Sequence, residues 1–235
     1  MLFAAAISLM SLAGSISQAA ETGTFSVTLV GLPAGTLSYS ANESGGQYRL
    51  AGRVKSSALA RAIVPVSIET SARGRVKGNR YRPSTFREQT QRGGEEITTV
   101  FSYKNGAPQI TRTPPRDKAP KYGLDPATQS GTLDPLTTAY AMLRDRPKDL
   151  ACKLDIVLFD GIRRASILYK DPAPGPKGGL VCQGEYRRLA GFSPKELAEK
   201  PVWPFTIYYE PAGGQLRVVE LKVPTTFGTV RIRRR

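Results

Sequence analysis

Apolar and polar residues alternate along most of the chain, which is the pattern of strands that bury one face and expose the other. In the first such strand, Phe25, Val27 and Leu29 share one face. Glycine pairs and the Asn105-Gly106 step separate successive strands, and Asn-Gly is a strong hairpin signal. The pattern therefore predicts a meander of antiparallel strands. Further strands are predicted at residues 37–41, 48–54, 64–72, 74–82, 85–91, 97–103, 152–158, 162–169, 180–184, 202–209, 216–223 and 226–233.

Three segments depart from this alternation and carry helix signals. Residues 57–63 fit one short helix. Asp134 supplies a capping carboxylate, and the proline after it suits the first helical position, so a helix is predicted over 134–145. Ser193, with Glu196 three residues later, fits the capping box of another short helix. The 134–145 helix is apolar on a single face, so we expect that face to pack on the sheet.

The number of strands predicts the shape of the sheet. Strands accumulate twist, and an open sheet of more than about ten strands closes or folds over. We therefore predict a mainly β fold, a strongly curved antiparallel sheet (half-barrel or β-spiral) with one or two short helices and the α-helix on the concave side. Residues 20–235 are predicted to form a single domain. The proline-rich loop at about 113–131 is either a partner-binding flap or a slack connection.

The first 19 residues have the form of a signal peptide. They contain no charged side chain, and the apolar stretch Leu2–Ala13 is shorter than the roughly 20 residues that cross a bilayer. Cleavage after Ala19 would place Ser17 and Ala19 at the two positions that a signal peptidase reads. We expect export to the periplasm without a transmembrane segment. A buried N-terminal helix is the alternative interpretation.

The chain has two cysteines, and export would place them in an oxidising compartment. Pairing the strands around Asp160-Gly161 puts Cys152 and the start of the strand containing Cys182 at the same open end of a hairpin. We therefore predict one disulfide, Cys152–Cys182, which would stabilise the fold by about 3 to 4 kcal/mol. The spacing is not CxxC, so we expect no redox-active role.

The chain is strongly basic, with 34 Lys and Arg against 19 Asp and Glu and a formal charge of +15. Basic side chains recur at every second position of predicted strands, which makes them either a solvated outer face or contacts for phosphates of lipopolysaccharide and anionic lipid headgroups. Export and the absence of an RNA-binding motif argue against nucleic acid as a partner. The candidate contacts with an anionic surface are Arg73, Arg75, Lys77, Arg80, Arg82, Arg231 and Arg233.

Candidate catalytic chemistry is scarce. The sequence contains no histidine, which excludes a Ser-His-Asp triad, a Cys-His pair and histidine-based zinc or iron sites. Asp155, Asp160 and Asp171 are scattered, and no glycine-rich segment precedes a helix with Lys-Ser/Thr. We predict that the protein is not an enzyme and has no catalytic, cofactor-binding or metal-binding residues. A hydrolase would need clustered carboxylates or a Ser-Lys pair in a cleft.

Five short segments, in this order and spacing, resemble a known family. They are Gly31–Leu37, Thr132–Thr137, Phe159–Arg164, Cys182–Gly184 and Val223–Arg231. Together they resemble the exported bacterial family catalogued as domain of unknown function 3108, over nearly the whole mature chain. The resemblance implies an envelope protein, periplasmic in a Gram-negative cell, with no established activity. By fold analogy, the expected curved sheet is similar to the lipoprotein carriers LolA and LolB, in which a sheet wraps around helices and holds acyl chains.

These observations favour a non-enzymatic periplasmic envelope protein. We expect it to bind an apolar or amphipathic ligand, lipid or lipoprotein-like, in the concavity of the sheet, without a cofactor. Two alternatives stay open: a structural or interaction module that docks another envelope protein, and a binder of anionic envelope polymers through its basic strand faces.

Overall fold

Thirteen antiparallel strands form one continuous sheet in the computed structural model, which describes residues 20–62 and 65–235. The strands are β1 (Glu21–Leu29), β2 (Leu32–Ser44), β3 (Gln47–Ser56), β4 (Val66–Lys77), β5 (Arg80–Arg92), β6 (Glu95–Lys104), β7 (Ala107–Thr113), β8 (Asp155–Phe159), β9 (Arg164–Pro174), β10 (Leu180–Ala190), β11 (Val202–Ala212), β12 (Gln215–Thr225) and β13 (Gly228–Arg234). The first and last strands, β1 and β13, pair in the middle of the sheet, so that β7 and β8 are its two edges. The predicted signal peptide lies outside the described residues.

Three short α-helices interrupt the sequence of strands in the described part of the chain, and none is long and apolar enough to cross a membrane. The second helix begins where the sequence predicts, because Asp134 accepts a hydrogen bond from the backbone nitrogen of Thr137 at 2.8 Å. The third has the predicted capping box between Ser193 and Glu196. The helices are α1 (Ala58–Arg61), α2 (Pro135–Leu143) and α3 (Pro194–Glu199).

Helix α2 lies on the concave side of the sheet, as predicted. Six of its nine residues are buried, and they pack against the inward-facing side chains of the strands. Gly52 lets the helix approach β3, since a β-carbon at this position would lie 2.6 Å from Cδ1 of Leu136. Aromatic side chains surround the helix, and the ring of Tyr140 makes edge contacts with those of Tyr39 and Tyr81 at centroid distances of 5.5 and 6.0 Å. The sheet and the helix therefore share one core.

The segment that leads into α2 bridges the two edges of the sheet. The backbone nitrogen of Leu133 donates to Val157 at 2.8 Å, and Phe159 donates back to Leu133 at 3.0 Å, which extends the sheet beyond β8. Two residues earlier, Gly131 donates to Gly106 in the β6–β7 turn at 3.1 Å. The sheet is therefore curled so far that one short stretch of chain contacts both of its edges. This arrangement confirms the predicted strongly curved sheet.

The disulfide joins Cys152 to Cys182, with 5.5 Å between the Cα atoms, and confirms the predicted pair. Cys152 does not begin a strand, however. A short 3-10 turn at Lys148–Leu150 continues past the cysteine, so that β8 starts only at Asp155. The disulfide thus attaches the connection between α2 and β8 to strand β10.

The predicted boundary between the strands at 64–72 and 74–82 is wrong. Strand β4 runs through this boundary, and the turn lies at Gly78-Asn79. The misleading signal is Gly74, which lies opposite a bulge at Ser84 of β5, where a β-carbon on the glycine would lie 2.8 Å from Cα of Pro83. A glycine inside a strand often marks a bulge or a close approach of another backbone.

The proline-rich segment follows β7. Its backbone turns at Gly123, which donates to Pro120 at 2.9 Å, and the next residue, Leu124, donates to Ile162 in the β8–β9 turn at 3.0 Å. A 3-10 turn at Pro126–Thr128 is capped by the side chain of Asp125. The second half of this segment is therefore attached to the sheet.

Candidate functional site

A cavity of about 370 Å³ lies on the concave side of the sheet, between α2 and strands β9 to β12. Alternate side chains of these strands point inwards, and three of them, Ile167, Phe205 and Leu221, form a buried apolar floor. Met142 of α2 closes the opposite side. We call this cavity the concave pocket. Its lining residues are Met142, Arg163, Ile167, Tyr186, Arg188, Phe192, Trp203, Phe205, Leu221 and Val223.

Cations and aromatic rings meet at the mouth of the concave pocket. The guanidinium carbons of Arg163 and Arg188 lie 5.0 and 5.2 Å from the ring centre of Phe192. Arg188 is also 5.5 Å from the ring of Trp203, over which Lys200 Nζ lies at 3.9 Å. Cations at these distances are attracted by the negative face of the ring. The aromatic rings thus help to stabilise three positive charges at the mouth, those of Arg163, Arg188 and Lys200, so that each does not need a carboxylate partner.

One carboxylate, Glu196, lies beside these cations. Its Oε1 is 3.3 Å from Nη2 of Arg163, and its backbone oxygen accepts from Nη1 of Arg188 at 2.6 Å. Hydrogen bonds from the backbone and hydroxyl of Ser193 hold the pKa of Glu196 below its usual value, so the group stays ionised. Because Glu196 faces two arginines, the mouth keeps a positive excess. The buried Nε of Arg188 has no partner in the described residues.

This combination of side chains is suited to binding. An apolar cavity buries alkyl groups, and a cationic rim pairs with the charged head of an amphipathic anion. The ten described residues that line the concave pocket include no serine, cysteine, lysine or carboxylate that would serve as nucleophile or base. At its mouth, Glu196 is paired with Arg163, and Lys200 lies over the ring of Trp203. Among the described residues there is also no group of three His, Cys, Asp or Glu that would hold a metal ion. Asp160 caps a turn, accepting from the backbone nitrogens of Ile162 and Arg163 at 2.9 and 2.7 Å.

Five of the predicted basic residues lie together on the outer face of β4 and β5, and all five are exposed. The strand register places Arg75 directly opposite Arg82, and Lys77 directly opposite Arg80. Arg73 hydrogen-bonds the hydroxyl of Thr85 at 2.9 Å. Within residues 20–62 and 65–235, no carboxylate forms an ion pair with any of them.

The structure adds a sixth cation that the sequence analysis missed. Arg49 of β3 lies directly opposite Arg73 of β4. The available signal was the alternation of Arg49, Arg53 and Lys55 on one face of β3. Like charges that face each other across strands destabilise a sheet, and here this occurs three times. We call these residues the basic patch, and its members are Arg49, Arg73, Arg75, Lys77, Arg80 and Arg82.

The remaining two candidates do not belong to the basic patch. Arg231 and Arg233 lie on β13, which is separated from β3 by β1 and β2. Both contact Oε1 of Glu220, at 3.4 and 3.1 Å respectively. Their charge is therefore partly neutralised within the protein, which makes them weaker anion contacts than the basic patch.

The fold is that of a β-barrel-like protein with a helix inside its curved sheet. The chain belongs to the family described as Protein of unknown function (DUF3108), whose model matches residues 24–171 and confirms the family that the sequence resembles. The match is shorter than the predicted extent, and the segments Cys182–Gly184 and Val223–Arg231 lie outside it. A solved structure with a similar fold is a β-barrel-like protein of domain of unknown function DUF1849 from Brucella abortus. It shares 13% identity over 91% of this chain and 94% of that chain, with a TM-score of 0.51. No curated protein matches the sequence.

Proposed function

We propose that this protein is a non-enzymatic binding protein of the periplasm, which holds an apolar or amphipathic ligand, such as a lipid acyl chain, in the concave pocket. The observation that carries the proposal is the pairing of an apolar, ring-lined cavity with a cationic mouth. The ligand class that fits both features is an anionic lipid, a fatty acid or a phospholipid.

The size and chemistry of the concave pocket support this ligand class. Its volume of about 370 Å³ falls within the range of roughly 300 to 1,000 Å³ that is common for small-molecule sites. Each methylene that leaves water contributes about 0.8 kcal/mol, so even a short alkyl segment would bind measurably. At the mouth, the headgroup would meet Arg163 and Arg188, whose charged hydrogen bonds are stronger than neutral ones.

The disulfide supports the periplasmic location. Structural disulfides persist in oxidising compartments and are rare in a reducing cytosol. Cys182 is fully buried in the shared core, and Cys152 packs against that core. A disulfide in this position reinforces the part of the chain that carries α2, which forms one wall of the concave pocket.

A fluorescent fatty acid, titrated into the protein purified after expression of the full chain, tests the proposal. Val223→Phe adds a ring inside the concave pocket, and we expect it to weaken binding by about tenfold or more, because the added volume displaces ligand. The matched control is Val181→Phe, the same substitution on the outward face of β10, which should bind as the wild type does. Equal affinity in all three proteins, with unfolding curves that show each to be folded, would reject the concave pocket as the site.

The basic patch favours a second candidate function, the binding of a polyanionic envelope polymer. Three pairs of opposed cations reduce the stability of the sheet, and a bound polyanion would relieve that repulsion. We expect Arg75→Gln with Lys77→Gln to lower affinity for lipopolysaccharide several-fold and to raise the melting temperature slightly. The control is Arg231→Gln with Arg233→Gln, which should change affinity less because Glu220 already pairs with both. If the two double variants lose affinity equally, the basic patch has no special role.

A further inference from the structure

Exposed apolar side chains are concentrated at one end of the sheet. Seven large apolar residues are exposed in the described part of the chain, and five of them lie in or beside the β1–β2 turn, the β12–β13 turn and α1. Phe227, in the β12–β13 turn, is 80% exposed, and Val30 and Leu32, at the β1–β2 turn, are 63% and 62% exposed. We call this set the apolar tip. Its members are Leu29, Val30, Leu32, Leu59 and Phe227.

The three parts of the apolar tip are held together by hydrogen bonds. The backbone nitrogen of Val30 donates to the carbonyl oxygen of Thr229 at 3.1 Å, which joins the β1–β2 turn to the start of β13, directly after Phe227 and the β12–β13 turn. The hydroxyl of Ser57, which caps α1, donates to Pro33 at 2.7 Å, so Leu59 of α1 belongs to the same end. The apolar tip is therefore one surface built from two hairpins and a short helix.

Valine is an unfavourable residue at position 30 for two reasons: the turn requires a positive φ, and the apolar side chain is exposed to water. Val30 and Gly31 both have positive φ, 51° and 81°, in a two-residue turn. Turns of this type prefer Asn-Gly, and a β-branched residue at positive φ is strained. The chain uses the preferred pair, Asn105-Gly106, in its β6–β7 turn, where φ is 52° and 80°. A residue that is poor for both stability and solubility points to a function.

The charges within the three segments that build the apolar tip are all positive. The segments 26–36, 55–62 and 222–232, which contain the apolar tip, include no Asp or Glu. Glu220, just outside them, pairs with Lys222 and Arg231. Lys55 and Arg61 form no ion pair within the described residues. The neighbouring β5–β6 turn adds Arg92 together with Glu95 and Glu96, which line a pocket with Lys55 and Arg61. It is therefore the three segments of the apolar tip, rather than the whole end of the sheet, that are complementary to a surface that is apolar inside and negatively charged outside.

We propose that the apolar tip docks on the surface of an anionic lipid bilayer. Its apolar side chains would enter the boundary between headgroups and acyl chains, while Lys55 and Arg61 contact lipid phosphates. The concave pocket lies at the same end of the sheet, because its lining residue Val223 is two residues, or about 7 Å of strand, from the end of β12. Docking at the apolar tip would bring the concave pocket close to lipid. The docking itself does not depend on which ligand the concave pocket binds.

Flotation with vesicles tests the proposal, using the protein purified after expression of the full chain. We expect it to float with vesicles of phosphatidylglycerol and phosphatidylethanolamine, and less with vesicles of phosphatidylcholine alone. Phe227→Ser should weaken binding to the anionic vesicles by about tenfold, since the aromatic ring supplies the largest apolar surface of the apolar tip. Phe227→Leu, the conservative control, should retain most of the binding.

Val30→Asn separates docking from folding. It creates the Asn-Gly pair that the turn prefers, so we expect an unchanged or higher melting temperature together with weaker vesicle binding. The proposal is wrong if the wild-type protein does not float with anionic vesicles. It is equally wrong if Phe227→Ser and Val30→Asn both float as well as the wild-type protein does. It is also wrong if these variants convert a dimer into a monomer, because a second copy would then cover the apolar tip. Fatty acid binding in solution tests the concave pocket separately. Ligand binding in the concave pocket and membrane docking by the apolar tip can therefore each be rejected without rejecting the other.

Discussion

Asp134 joins the segment that leads into α2 to the helix itself through a small network of buried hydrogen bonds. The side chain is 0% exposed, and its second carboxylate oxygen accepts from the hydroxyl of Thr137 at 2.6 Å. The same threonine oxygen lies 3.1 Å from the hydroxyl of Tyr48. Burial raises the pKa of Asp134 to about 6, although hydrogen bonds from Thr137 oppose the shift. The sequence predicts the cap, but local sequence contains no signal for the burial, which results from strands far along the chain.

The raised pKa of Asp134 predicts a pH dependence of stability. An aspartate has an ordinary pKa of 3.8, so between about pH 4 and pH 6 the folded protein binds this proton more tightly than the unfolded chain does. The contribution of Asp134 to stability is therefore complete below about pH 4 and declines as the pH rises through 6. Asp134→Asn keeps a capping side chain but does not titrate. We expect the free energy of unfolding of the wild type, relative to this variant, to fall by about 2 kcal/mol from pH 4 to pH 7. Urea unfolding at several pH values measures this difference, and a constant difference would show that the carboxyl group is not perturbed.

At the scale of elements, the close contact between β3 and α2 depends on the absence of a side chain at Gly52. A β-carbon there would lie 2.6 Å from Cδ1 of Leu136 and 2.6 Å from Oγ1 of Thr70. The helix is therefore in direct contact with the strand. Its position in turn determines how much of the concave side is filled and how much is left as the concave pocket.

This contact predicts coupling between two substitutions. Gly52→Val should destabilise the protein by about 1 to 3 kcal/mol through overpacking, and Leu136→Ala should do so by about 2 to 5 kcal/mol. Together they should cost clearly less than the sum, because the smaller helix residue makes room for the valine. Ala51→Val, on the outward face of the same strand, is the control and should add to Leu136→Ala without coupling. Urea unfolding of the variants gives the coupling energy, and an additive result for Gly52→Val would place the helix farther from the strand.

Elements with strong local signals were predicted well, and contacts between distant segments were not. Helices α2 and α3 begin at the predicted caps, and the disulfide joins the predicted cysteines. Strand β4 was misplaced because Gly74 looks like a turn residue, whereas it lies inside the strand opposite a bulge in β5. The mouth of the concave pocket escaped prediction, since Arg163 and Arg188 meet Phe192 only after a hairpin and α3 have folded together. No periodic pattern in the sequence predicts these contacts between distant side chains.

At the scale of the whole molecule, the pairing of β1 with β13 joins the two halves of the sheet. Helix α2 contacts β3, β4, β5 and β8, which fills that part of the concavity. Strands β9 to β12 line the remaining space, which is the concave pocket. The basic patch lies on the outer face, and the apolar tip lies at the same end of the sheet as the pocket residue Val223. The fold therefore separates a space for a ligand from two surfaces for larger partners.

The fluorescence of Trp203 tests most directly whether the concave pocket holds an acyl chain. It is the single tryptophan of the chain and lines the concave pocket, so all tryptophan emission comes from a residue at that site. Titration with a fatty acid brominated in its chain should quench Trp203 in a saturable way, because the bromine must lie close to the indole ring. The quenching should be lost in Val223→Phe and kept in Val181→Phe. Emission that stays unchanged while the same fatty acid binds would contradict a ligand in the concave pocket.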